Sequence, residues 1–189
     1  MRFHRYALAL LVAAAICVAQ GGASAAPETV VAQASLAVPY RPQATLRWAW
    51  VASAQMVAQY YKKDTPSQCA MLQKAYDAPC CTDSGACDVP GTVAQVQSII
   101  KDLGLSYSMV DRPPSQAELL SLINSGQPLL IHFRMGHFAV ISGMRVVDTP
   151  TGRLGIVHLL DPHFGEGDVE LPSLYPQWDV AMSVSRKPA

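Results

Sequence analysis

Charge is scarce in this chain. Of 189 residues only 14 are Lys or Arg and 14 are Asp or Glu, and no run of like charge stands out. Without a basic patch there is nothing to track a phosphate backbone, which argues against a nucleic-acid partner. Gly-rich phosphate loops and dinucleotide fingerprints are missing, so no cofactor is expected. Internal repeats and low-complexity tracts are missing too. There is no Cys-x-x-Cys pair and no His beside the cysteine cluster, which counts against zinc. His132, His158 and His163 with Asp161 make a poor metal set, because His158 and Asp161 are three apart on a predicted strand and point to opposite faces. Cysteine is also absent from "RPQATLRWAWVASAQMV" (Arg41 to Val57), a polar turn leading into an apolar helix, the layout that elsewhere carries a thiol nucleophile.

What is present at the start of the chain is an export signal. Arg2 and Arg5 precede an uncharged apolar stretch from Tyr6 to Ala19, and Ala23-Ser24-Ala25 supplies small residues at the right spacing for cleavage after Ala25. The apolar stretch is shorter than the roughly 20 residues that cross a bilayer. Cys17 is a poor lipidation site, because the bulky Ile16 precedes it. Removing residues 1–25 from 189 leaves 164, one domain of ordinary size. The signal takes two Arg with it, so 12 basic residues face 14 acidic ones, a net charge of about −2. The mature protein is expected to be secreted or periplasmic, monomeric and free of the membrane.

Cys17 leaves with the signal, and Cys69, Cys80, Cys81 and Cys87 remain. An even number of cysteines in one short window of an exported protein reads as two disulfides. Joining Cys80 to Cys81 would strain the backbone, so one of them is expected to bond Cys69 and the other Cys87. If all four pair, no free thiol is left.

Residues 26–37 read as a short, loosely ordered lead. "VPYRPQAT" (Val38 to Thr45) should be extended or turning, with Thr45 able to cap the next helix. Helices are expected from about Trp48 to Tyr61, over "TPSQCAMLQKAY", over "TVAQVQSIIKDLG" with Gly104 as its stop, and over "SQAELLSLINSG". In the last of these Ser115 and Glu118 form a capping box. After Gly126 the character changes to short runs rich in β-branched residues: "PLLIHFR", "HFAVISGMRVV", "GRLGIVHLLDP" and "WDVAMSVS". Helices first and strands second argue for an α+β domain with a largely antiparallel sheet.

Three residues then matter together. His137 follows Gly136 at the head of a strand whose alternation puts Phe138, Val140 and Ser142 on one face and His137, Ala139 and Ile141 on the other. Asp161 ends a later strand, where a carboxylate can orient an imidazole. Gln43 lies six residues before Ala49, where its amide can donate to a developing oxyanion near a helix start. Each has a plainer use alone: a structural His, the Asp of an Asp-Pro turn, a solvated Gln. Trp48 and Trp50 are neighbours on a helix, where successive residues point about 100° apart, so one is expected in a groove and the other in the core.

The ordered set resembles papain-like cysteine proteases, and most of all a compact secreted bacterial branch. There Gln precedes a Cys-Trp-Ala-Ala type helix start and a "GHFxxIxG" strand follows. "AWVASAQMV" (Ala49 to Val57) matches that helix start with Ala49 at the Cys position. "GHFAVISG" (Gly136 to Gly143), "LLDPHFG" (Leu159 to Gly165) and the "CC" pair match as well. The likeness covers Val38 to Val184 and implies one domain over 38–189, a helical N-terminal half packed on an antiparallel sheet half. It implies Gln43 as oxyanion donor, Ala49 at the nucleophile position, His137 as general base and then acid, and Asp161 as the orienter of His137. Gly136 and one of Trp48 and Trp50 are expected to border a cleft for a peptide or protein substrate, and by the likeness Trp178 packs near the His.

A methyl group cannot attack a carbonyl, so the chain as written should be inactive. Ser53, one turn further along the helix, would not share the Ala49 position. With Cys at position 49 the mature chain would hold five cysteines, four paired and one free, the pattern of a secreted thiol hydrolase. Two origins fit the Ala: a deliberate replacement, which is preferred because the other three roles are filled, or a natural pseudo-protease that keeps the cleft for binding. An acyltransferase or deamidase using the same residues is a third option.

Overall fold

The computed structural model describes residues 29–62 and 64–187. The expected export signal, residues 1–25, lies outside the described residues. The elements, in chain order, are β1 (Thr29–Ser35), α1 (Ala49–Tyr61), α2 (Gln68–Tyr76), α3 (Val93–Asp102), β2 (Leu105–Val110), α4 (Gln116–Asn124), β3 (Leu129–Phe133), β4 (Phe138–Thr149), β5 (Gly152–Asp161), β6 (Gly165–Glu170), a one-turn α5 (Leu171–Leu174) and β7 (Trp178–Arg186). The expected α+β architecture is present, and every strand pairing is antiparallel.

Local chemistry explains the helix starts. Ser67 accepts from the Ala70 N–H, and Thr92 with Gln95 and Ser115 with Glu118 form reciprocal capping boxes. The helix α1 is different. Its N-cap is Trp48, no side chain caps it, and its first turn holds no acid. Thr45, expected to cap it, instead gives its hydroxyl to Asp88.

The sheet runs in the order β2-β7-β3-β4-β5-β6. The twelve-residue β4 pairs with β5 on one edge; on the other it pairs first with β3 and then, past a bulge between Ile141 and Gly143, with β1. Residues 29–35 are therefore a strand of the sheet, where a loose lead was expected. "TVVAQAS" lacks apolar alternation, and its order comes from the β4 ladder it joins.

Apolar side chains cover both faces of the sheet. On one, Leu130, Phe138, Val140, Leu160, Met182 and Val184 pack against α1, α2 and α3. On the other, Ile131, Ala139, Ile141, Leu159 and Trp178 pack under α4 and α5. The expected alternation of β4 is the one observed. The N-terminal helices pack on the antiparallel sheet as expected, and the expected fourth helix, α4, covers its other face. Among the described residues no helix is long and apolar enough to cross a membrane.

The disulfides join Cys69 to Cys81 and Cys80 to Cys87. They fold residues 77–91 against the start of α1.

Candidate active site

Position 49 lies at the first residue of α1 and is nearly buried. Its neighbours are pinned. The Trp48 indole N–H donates to the Cys87 carbonyl at 2.9 Å and the Trp50 indole N–H to the Val89 carbonyl at 3.2 Å. Both indoles are buried, and of the two Trp50 lines the groove. Gly91 lies flat against Trp50, and a Cβ there would fall 2.1 Å from the ring.

The opposite wall comes from the sheet. The loop between β3 and β4 closes through Gly136 N–H to the Phe133 carbonyl and Phe133 N–H to the His137 carbonyl, both at 2.8 Å. Gly136 takes a φ of +83° to do so, a conformation that favours glycine. His137 is delivered at the head of β4. In the β4–β5 ladder Val140 pairs with Leu160, so Asp161 falls opposite Ala139 and diagonal to His137, on the same face.

Both carboxylate oxygens of Asp161 lie 2.9 Å from His137 Nε2. Oδ1 also accepts the backbone N–H of His163 at 2.8 Å and of Phe164 at 3.0 Å. Burial pushes the Asp161 carboxyl up, but the His137 hydrogen bond and those two N–H groups outweigh it and hold it below the usual carboxylate range. Asp161 is therefore ionised, and Nδ1 is the His137 nitrogen left for chemistry. Phe133 stacks parallel to the imidazole and Phe164 meets it edge-on, each with centroids 6.2 Å away. The aromatic partner of His137 is thus Phe133; Trp178 is one strand further in, paired with Phe133 and buried in the far core.

One groove of about 320 Å³ is lined by Gln43, Ala49, Trp50, Gly136, His137 and Phe164, among others. It unites three of the four residues expected to act, with Asp161 behind His137. Gln43 is the exception in its details. Its N–H groups are engaged by the carbonyls of Thr45 at 2.9 Å and Leu46 at 2.7 Å, and its Oε1 is buried without a partner. To donate to an oxyanion it must exchange one of those bonds. Ser53 is fully buried in α1, out of reach of a substrate.

The two walls are tied together at their base. The Tyr40 hydroxyl donates to the Asp161 carbonyl at 3.2 Å, and the Gln43 backbone N–H donates to the Pro162 carbonyl at 3.0 Å. Neither Tyr40 nor Phe133 carries any signal in the sequence that marks it for the site. A larger groove of about 690 Å³ between β2 and α4 is lined by Met109, Arg112, Glu118 and Leu122, among others, and no Cys or His is among its lining residues. Among the described residues no group of three or more His, Cys, Asp or Glu side chains is placed to hold a metal ion. His132 and His158 turn away to Asp179 and Asp168.

A helix that begins at Ala49, across a groove from a strand-borne His and Asp within an α+β domain, is the arrangement of the papain-like cysteine peptidase fold. Residues 35–178 match the Peptidase_C39 like family, and the chain belongs to that family. Two solved structures share the fold. One is a double glycine motif protease from an AMS/PCAT transporter in complex with the leader peptide, with TM-score 0.54 and 16% identity over 86% of this chain and 100% of that one. The other is the peptidase domain of Streptococcus ComA, a bi-functional ABC transporter, with TM-score 0.54 and 16% identity over 79% and 99%. Among curated proteins none matches the chain.

Proposed function

We propose that this domain is an exported peptide-directed cysteine peptidase whose chemistry is switched off at one atom: Ala49 stands where the thiol belongs. The observation that carries this reading is the shared groove of Ala49 and His137, with Asp161 fixed behind the imidazole. A thiol at position 49 would lie at an uncapped helix start, where the helix dipole favours its thiolate. The thiolate would attack the substrate carbonyl carbon. The carbonyl oxygen would take up the negative charge, stabilised by backbone N–H groups at the helix start and by Gln43 once it releases a carbonyl. His137 would take the thiol proton at Nδ1, give it to the amine that leaves as the carbon–nitrogen bond breaks, and then deprotonate the water whose attack on the thioester releases the acid and the thiolate.

The substrate class follows from the rim. Leu46 and Met135 are each 79% exposed and Phe164 is 82% exposed, and all three border this groove. Apolar side chains held open to solvent around a polar site suit a peptide with apolar residues flanking the bond. With Ala49 in place the groove binds such a peptide without turning it over. Two disulfides and the N-terminal export signal favour an oxidising compartment, secreted or periplasmic.

The test is Ala49→Cys in the full chain, treated with iodoacetamide at neutral pH beside the unaltered protein. Rapid labelling at position 49, suppressed by His137→Ala, is expected. Labelling no faster than that of an ordinary exposed thiol, or insensitivity to His137→Ala, rejects the peptidase reading. New N-termini on a peptide substrate would mark hydrolysis, and an acylated amine acceptor would mark transfer.

A further inference from the structure

The loop that carries the second disulfide does more than close on itself. Three consecutive residues in it each receive hydrogen bonds from the segment that leads into α1. Cys87 and Val89 accept the two indoles through their carbonyls. Between them, one carboxylate oxygen of Asp88 accepts the Thr45 hydroxyl at 2.7 Å and the Arg47 backbone N–H at 2.9 Å. The Arg47 guanidinium adds a longer contact to the Asp88 carbonyl at 3.4 Å.

The two donors to Asp88 flank Leu46, so the carboxylate holds both ends of a three-residue turn. The carbonyls of that turn, Thr45 and Leu46, are the ones that grip the Gln43 amide. The chain of contact therefore runs from Asp88 to the turn at residues 45–47 and from the turn to Gln43. Leu46 itself is exposed to solvent, so apolar burial does not fix the turn; beside its own Trp48 N–H to Thr45 carbonyl bond at 3.4 Å, the Asp88 carboxylate holds it. We propose that Asp88 is a positioning residue of the active site, setting the place of the Gln43 amide through the Thr45–Arg47 turn. The role rests on the cysteine-peptidase reading above for its catalytic meaning, though the positioning itself does not depend on it.

Two thiol reactions of the Ala49→Cys chain separate positioning from general support. Acylation of its position-49 thiol by 4-nitrophenyl acetate joins sulfur to the acyl carbon, passes through an oxyanion and expels 4-nitrophenolate. Alkylation by iodoacetamide displaces iodide at a saturated carbon and forms no oxyanion. In this background, Asp88→Ala should slow acylation about 10-fold, a part of the roughly 10²–10³ that follows outright loss of an oxyanion donor. Alkylation should stay within about 3-fold, since it draws nothing from that donor. Asp88→Asn keeps the accepting oxygen and should restore acylation. When Gln43→Ala is also present, Asp88→Ala should add almost nothing, because the two act in series. Equal losses in both reactions, or full additivity with Gln43→Ala, overturn the proposal. A separate arm uses the unaltered chain with Ala49. The Gln43 side-chain NH₂ resonances should move to free-amide positions in Asp88→Ala and hold in Asp88→Asn; unmoved resonances in Asp88→Ala overturn it as well. If Ala49→Cys proves unreactive, the peptidase reading falls while this arm still decides the role of Asp88.

Discussion

The two walls of the groove are built by different means. On the sheet wall, His137 and Asp161 stand at the ends of long antiparallel ladders, and register alone brings them together. On the other wall, position 49 follows an irregular segment with no ladder to hold it. Its place depends on a disulfide-closed loop, two indole hydrogen bonds and one carboxylate. One wall inherits its geometry from the sheet. The other has to be assembled contact by contact, so single changes there should do more damage.

The sharpest comparison is one glycine on each wall. Gly91→Ala drives a Cβ to 2.1 Å from the Trp50 ring and should destabilise the domain by about 3 kcal/mol, at the upper end for overpacking. Calorimetry should show a Tm lower by roughly 9 °C. Next comes the pair Cys80→Ser with Cys87→Ser. The bond spans seven residues, and its loss should remove about 2.5 kcal/mol by the chain-entropy account, read as a lower midpoint in urea. In the Ala49→Cys background the same double change should also slow alkylation at position 49, while the Asp161 hydrogen bonds, followed by NMR, stay intact. Gly136→Ala meets nothing within 4 Å, so its cost is only the left-handed backbone, about 1–2 kcal/mol. If Gly136→Ala proves more harmful than Gly91→Ala, the contrast between the walls is wrong.

The smallest effect belongs to the sheet wall. The folded value of the Asp161 carboxyl lies below its ordinary value. Its contribution to stability is thus complete above the unfolded carboxyl range, about pH 4, and is lost as pH falls through the depressed folded value. As the pH is lowered below about 4, the unaltered chain should lose stability more steeply than Asp161→Asn, which has no such proton to take up. Parallel acid profiles for the two proteins would show that the fold does not lower the Asp161 carboxyl.

The same division governs what could be read from the sequence. His137 and Asp161 were legible because each sits beside a clear β-branched run, and a strand end has few places to go. The pairing of Cys80 and Cys81 away from each other was legible from backbone strain. By contrast β1 and β6 were not. "GEGDVE" has two glycines and three acids and pairs only because β5 offers a ladder. Helix geometry separates Trp48 from Trp50, and of the two Trp50 lines the groove, but it does not say what else waits there: both meet carbonyls of the disulfide loop. Asp88 was invisible for the same reason. Its partners lie 41 and 43 residues away in the chain, and a lone Asp in a turn-rich loop carries no mark of them.

The place of β7 has a consequence for how the molecule comes into being. The last of these strands to be made lies inside the sheet, between β2 and β3. Until it arrives, β2 has no neighbour and β3 lacks one of its two. Such distant pairings form late, so a chain still emerging from the ribosome holds no finished sheet. The sheet wall of the groove is thus completed only by the part of the domain that is made last.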